Sequence, residues 1–337
     1  MPATTTMRAA QAVAPGAPFA LHDLPVPEPG PGQVRVRVHA CGVCGGDNVA
    51  RNAALATTLP RVPGHEIAGR IDALGEGVTA WRTGDRVGIG WHGGSCFTCP
   101  ACRSGDFSNC AHRQAVGSTY DGGYAEYTVA PQDALARIPD ALSFEEAAPL
   151  MCAGLTTFNS LRASGARPGD TVAMHGIGGL GHLALQFADR MGFRTVAISR
   201  GRDKEKAARE LGADEYIDST AGSAGEALAR LGGAAAILAG VADAEAQADL
   251  IQGLAPNGRL LIVGPAHEPL AVGADPLILG RRQIQGWYSG HAKDAEDTLA
   301  FAALKGVRPR IQSFPLERAE EAFRTMGRAR YRNVILP

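Results

Sequence analysis

The chain has 337 residues, 45% hydrophobic and 20% charged, with 33 basic against 34 acidic side chains. That length suits two domains, each able to bury a sizeable core. A net charge of −1 gives no reason to expect a nucleic-acid or anionic-membrane partner, and 43 glycines without a triplet period exclude collagen.

The longest uncharged stretch, 171–188, is broken by two histidines and four glycines, so it reads as strand, turn and helix rather than a membrane span. Residues 1–23 lack a basic region followed by an apolar run, and a cytoplasmic protein is expected. In chain order, the prolines of 25–31 mark a loop. From 34 to 139 short β segments follow, with strict alternation at 33–38 and a further strand near 84–89. From about 141 helices and strands alternate: strand 171–174, helix 181–191, strand 194–198, helix 203–211, then strands 235–238 and 259–263. This rhythm predicts a parallel doubly wound sheet. The final segment, 290–337, mixes helix with a closing strand at 333–336.

Gly176-Ile177-Gly178-Gly179-Leu180-Gly181 fits G-x-G-x-x-G between a strand and a helix. Such a turn brings backbone close to a pyrophosphate, which then sits at a helix N-terminus, where free N–H groups favour an anion. About twenty residues on, an acidic residue would hold the ribose 2′-OH of NAD. Here Ser199 occupies that place, followed by Arg200, Arg202 and Lys204, with Asp203 as the nearest carboxylate. Arg200 could grip a 2′-phosphate with its planar fork, so NADP(H) is favoured over NAD(H).

Four of the seven cysteines, Cys96, Cys99, Cys102 and Cys110, fall within fifteen residues. In a reducing compartment that density indicates metal, and four thiolates close a tetrahedral zinc shell, as in a structural site. A second, scattered set is Cys44, His65-Glu66 and Cys152. Two cysteines and a histidine are the ligand pattern of a catalytic zinc with one open position.

With Gly64-His65-Glu66-x2-Gly69-x5-Gly75-x2-Val78, Cys44-x2-Asp47, Cys152 with Thr156, the four-cysteine loop and the glycine fingerprint, the chain resembles the zinc-dependent medium-chain alcohol dehydrogenases over nearly its whole length. The resemblance implies an α/β fold with a β-rich GroES-like catalytic domain (1–152 and 290–337) and a doubly wound, Rossmann dinucleotide-binding domain (153–289), with the active site in the cleft between them. It implies two zinc ions per chain. Cys44, His65 and Cys152 would hold the catalytic ion, with Glu66 as an exchanging ligand and Asp47 orienting the histidine. Thr156 would lie beside the nicotinamide and Arg332 would pair with the pyrophosphate. Cys41 matches no ligand position and reads as a core residue. A homodimer or homotetramer follows by the same resemblance.

The expected activity is hydride transfer between NADP(H) and a primary alcohol or aldehyde, with zinc as Lewis acid. An imine or enal reductase, or a polyol dehydrogenase, is the alternative on this fold. A non-catalytic NADPH-binding redox sensor is disfavoured by the intact catalytic ligand set. The family commonly relays the proton through a Ser or Thr two residues after the zinc cysteine and a His three further on. Those positions here are Gly46 and Val49. Water through an enlarged space at Gly46 is the expected substitute, with His39, His92 and Tyr120 as other donors. The same space, with Trp287 and Tyr288 near the cleft, suggests a bulky or aromatic substrate.

Overall fold

A computed structural model describes residues 5–55, 57–327 and 331–337. The chain divides into two compact units, Met1–Leu155 with Ser289–Pro337, and Thr156–Tyr288.

The first unit is built on a seven-stranded sheet. Its central strand, Gln33–Gly42, buries Val34, Val36, Val38 and Ala40 and turns Arg37 outward, so the alternation at 33–38 continues to Ala40 before the strand runs fully buried to Gly42. That strand pairs antiparallel with Glu66–Leu74, Tyr127–Pro131 and Arg332–Leu336. Arg86–Ile89 pairs with Glu66–Leu74, Leu135–Arg137 lies beyond it, and Ile311–Pro315 runs parallel to Arg332–Leu336. Val36, Ile67, Ile71, Val87, Tyr124 and Ile335 belong to the core beside this sheet.

Register decides what gathers at one end of the sheet. Gly42 lies opposite Glu66, and Ile67 opposite Ile89. Extending the second antiparallel pair by two residues sets His65 across from Trp91. The C-terminal end of Gln33–Gly42, the N-terminal ends of Glu66–Leu74 and Arg332–Leu336, and the exit of Arg86–Ile89 therefore converge. Cys44, His65, Glu66, Trp91 and Arg332 sit at those strand ends.

The second unit holds six parallel strands. Numbered along that unit, their order is 3-2-1-4-5-6, the doubly wound arrangement that binds ligands at the carboxyl ends of its strands. The first strand, Thr171–His175, is buried at all but its first residue, as a sheet covered on both faces requires. The expected helix at 203–211 is shorter, Glu205–Glu210, because residues 202–204 form a turn in which the Glu205 amide bonds the Arg202 carbonyl. The strand expected at 259–263 starts earlier, at Leu254, and contains Asn257 with φ 61°. Among the described residues no helix is long and apolar enough to cross a membrane.

Candidate active site

Cys44, His65, Glu66 and Cys152 each bring one donor atom into a group whose members all lie within 4.8 Å of one another. Cys44 follows the central strand and caps the short turn Gly45–Asp47, where its Sγ faces the Gly46 amide at 3.5 Å. Cys152 comes from a π-helical turn, Leu150–Gly154, a widening of the helix that often marks a functional position. The Cys44 and Cys152 sulfurs are 3.8 Å apart. Two thiolates at about 2.3 Å from a tetrahedral zinc would be separated by roughly that distance, so the donor set fits a zinc ion.

The closely packed donors shift one another's charge in opposite directions. The Cys152 thiol, helped by neighbouring His65, pulls Cys44 well below the usual thiol range against the burial that opposes a thiolate, while the same pairing and burial push Cys152 well above it. Burial opposes a charge on His65, but Asp47 and Cys44 outweigh it and raise the imidazole. Burial pushes the Glu66 carboxyl up to about 8 although Arg332 opposes it. Glu66 Oε1 pairs with the Arg332 guanidinium, and its Oε2 has no protein partner.

Asp47, 3% exposed, organises the histidine. Its Oδ1 is 2.8 Å from His65 Nδ1 and accepts the Gly64 amide at 3.2 Å. Its Oδ2 accepts the Cys44 amide and the Tyr124 hydroxyl. A proton fixed on Nδ1 leaves Nε2 as the ligand atom. The Trp91 ring meets His65 edge to face, with centroids 5.0 Å apart. Neither Trp91 nor Tyr124 is picked out by sequence motifs. The only sequence signal for Trp91 is strand register, and Tyr124 has none beyond following Gly122-Gly123. Cys41 is a fully buried core residue.

Arg332 is 6% exposed and its guanidinium is bound to Glu66 within the first unit. Thr156 is buried in helix Leu155–Ala163, four residues beyond Cys152.

The enlarged space expected at Gly46 is absent, and with it goes the room for a bulky substrate argued from this glycine. A Cβ there would lie 2.8 Å from His65 Cε1, so the imidazole already fills the position. Gly46→Thr would therefore displace His65 before it restored a relay. The expected outcome is at least a tenfold lower kcat/KM together with faster zinc loss, read by steady-state kinetics and metal analysis. A variant with parental zinc retention and a new kinetic pKa would contradict this.

The three substitute donors are engaged elsewhere. His39 stacks on Phe144 at 4.4 Å and faces the Arg37 carbonyl. Tyr120 donates to the Gly93 carbonyl at 2.9 Å. His92 Nε2 lies 2.9 Å from Ser95 Oγ. Burial, with His291 and Arg113 nearby, pushes His92 down to about 4. Its folded pKa is thus below its unfolded value, and the unfolded chain binds the extra proton between them. Stability should fall as pH drops through that window. Comparing parent with His92→Phe by urea unfolding, the stability difference should change by about 1–2 kcal/mol between pH 7 and 5. A difference that stays constant with pH would show that His92 protonates freely in the fold.

Cys96, Cys99, Cys102 and Cys110 form the second group of donors within 4.8 Å. Backbone amides of Cys96, Cys99 and His112 point at its sulfurs at 3.3–3.4 Å, and the Cys96 and Cys110 sulfurs are 3.6 Å apart. Four thiol donors offer a closed zinc shell.

In the second unit a cavity of about 760 Å³ is lined by residues 175–181, Ser199, Arg200 and Lys204, among others. Gly176 has φ 92°, and a Cβ on Gly181 would meet the Gly176 carbonyl oxygen at 1.9 Å. A Cβ on Gly178 would enter open space, so that glycine leaves its backbone bare toward the cavity, as close approach by a phosphate needs. Ile177 is buried beneath the loop, while Gly179 and Leu180 lead into the helix at Gly181. The turn after Ser199 is held by Asp218, which accepts the Gly201 amide at 2.8 Å, and by the Tyr216 hydroxyl on the Gly201 carbonyl. The residues present fit a dinucleotide.

Known proteins define the family. Residues 30–140 match the alcohol dehydrogenase GroES-like domain, and residues 179–303 match the zinc-binding dehydrogenase family. Alcohol dehydrogenase notN of Aspergillus sp. (strain MF297-2) is 46% identical over 323 residues, 95% of either chain. An alcohol dehydrogenase of Geobacillus stearothermophilus is 38% identical over 306 residues, 90% of either chain. The crystal structure of an NAD-dependent alcohol dehydrogenase superimposes with a TM-score of 0.91 at 32% identity, covering 98% of this chain and 100% of that one. The chain belongs to the zinc-type medium-chain alcohol dehydrogenases. It is an oxidoreductase with a GroES-like domain and a Rossmann domain.

Proposed function

We propose that this alcohol dehydrogenase interconverts a primary alcohol and its aldehyde with NADP(H), using one zinc at Cys44, His65 and Cys152 and a second, structural zinc at the four-cysteine loop. The single observation that carries the reading is the donor group at Cys44, His65, Glu66 and Cys152, with Asp47 fixed behind the histidine. When bound, zinc supplies Lewis acidity and the nicotinamide gives or takes hydride. The chain's own residues hold and orient. Asp47 keeps a proton on His65 Nδ1, Glu66 and Arg332 hold one another beside the donors, and the Trp91 ring packs against His65 edge to face. Gly46 and Val49 put no proton-carrying side chain at the relay positions.

Cofactor choice rests on the second unit. Arg202 is tied to Glu205 at 2.7 Å, whereas among the described residues Arg200 and Lys204 carry no ion pair and line the cavity. Asp203 is exposed and outside that lining. This supports a 2′-phosphate at Arg200. Seven free thiols suit a cytoplasmic, reducing setting, and a homodimer or homotetramer is carried over from the family.

Initial rates with cinnamaldehyde and NADPH or NADH, with product identification and a chelated control, test the proposal. Chelator-sensitive cinnamyl alcohol formation with NADPH is expected. Saturated aldehyde as product would favour the enal reductase, and a preference for NADH would overturn the cofactor assignment.

A further inference from the structure

We infer that Tyr124 is a positioning residue for His65, acting through Asp47. The inference rests on the zinc reading above, since it concerns how firmly one ligand of that centre is held.

The Asp47 carboxylate faces four groups, two on each oxygen. Oδ1 takes His65 Nδ1 at 2.8 Å and the Gly64 amide at 3.2 Å. Oδ2 takes the Cys44 amide at 3.0 Å and the Tyr124 hydroxyl at 2.8 Å. Two of these donors are backbone amides, one of the ligand Cys44 and one of Gly64 beside His65, the third is the His65 ring itself, and only the fourth comes from a side chain with no other business at the site. A carboxylate with both oxygens fully engaged cannot swing about its Cβ–Cγ bond. Without the tyrosine, Oδ2 keeps one amide, and the plane that aims Oδ1 at His65 loses an anchor.

The tyrosine's place is fixed independently of its hydroxyl. The residue is fully buried, and its ring meets Phe19 edge-on with centroids 5.9 Å apart. It lies so close to Gly64 that a Cβ there would come within 2.5 Å of Tyr124 Cδ1, and Gly64 itself has φ 100°. Phenylalanine would fill this volume equally well. A buried hydroxyl is costly unless bonded, and this one is bonded to Asp47. The ring serves the core, while the oxygen serves the carboxylate behind the ligand.

The two roles are separable. In the zinc-loaded enzyme, Tyr124→Phe should quicken chelator-driven loss of the activity-linked zinc about fivefold and lower kcat about threefold to tenfold, with KM for the cofactor unchanged. Zinc release from the four-cysteine loop, in the same sample, should keep the parental rate. Phe19→Leu loosens the same packing without touching Asp47 and should lower Tm while leaving zinc release as in the parent. Release and kcat within twofold of the parent for Tyr124→Phe would overturn the inference. So would equal acceleration at both zinc sites, or acceleration by Phe19→Leu as large as by Tyr124→Phe. A parent enzyme that releases zinc only from the four-cysteine loop would instead overturn the zinc reading itself.

Discussion

His65→Ala should leave a folded chain that holds one zinc and turns over at no more than about a thousandth of the parental rate, because the loss of a ligand removes both the ion and its several kcal/mol of charge stabilisation. The argument is local. His65 is 2% exposed, and its Nδ1 is one of the four groups on Asp47. Removing the imidazole opens a small buried gap over Gly46 and leaves Asp47 Oδ1 with only the Gly64 amide. That should cost about 1–3 kcal/mol of stability, which a domain of this size tolerates. Metal analysis should fall from two zinc ions per chain to one, with the four-cysteine loop still loaded. Retention of two ions, or of appreciable activity, would place the catalytic metal elsewhere.

Arg200→Ala should raise KM for NADPH by about ten- to a hundredfold, the equivalent of losing a charge-assisted hydrogen bond of about 1.5–3 kcal/mol. KM for NADH should stay within twofold. Arg200 is exposed and carries no ion pair among the described residues, so Tm should hardly move. The contrast between the two cofactors separates a phosphate contact from general damage to the fold. Equal losses with both would mean that Arg200 shapes the turn rather than reading the 2′ position.

Some of this was legible in the sequence because it depends on short-range pattern. The alternation at 33–38, the β–α rhythm after 171 and the glycine fingerprint each follow from neighbours within a few residues. Clustered cysteines carry their own chemistry, so the loop from Cys96 to Cys110 can be read without knowing the fold. What escaped depends on pairing across the chain. Trp91 stands beside His65 only because Ile67 pairs with Ile89. Tyr124 reaches Asp47 across 77 positions of sequence. Arg332 meets Glu66 because its strand pairs with Gln33–Gly42, which also pairs with Glu66–Leu74. The reading of Gly46 as open space failed for a related reason. A missing side chain suggests room, but the space beside a glycine belongs to whatever the fold packs there, in this case the His65 ring.

The most direct measurement is metal content and turnover on one sample during stepwise removal of zinc by a chelator, with NADPH and benzaldehyde as reporters and Tm followed in parallel. Two ions per chain are expected at the start. Loss of the first, from Cys44, His65 and Cys152, should extinguish benzyl alcohol formation while Tm changes little, and loss of the second, from the four-cysteine loop, should lower Tm. Turnover that persists after the first ion has gone, or that disappears only as the fold melts, would contradict the assignment of Cys44, His65 and Cys152 as the catalytic centre.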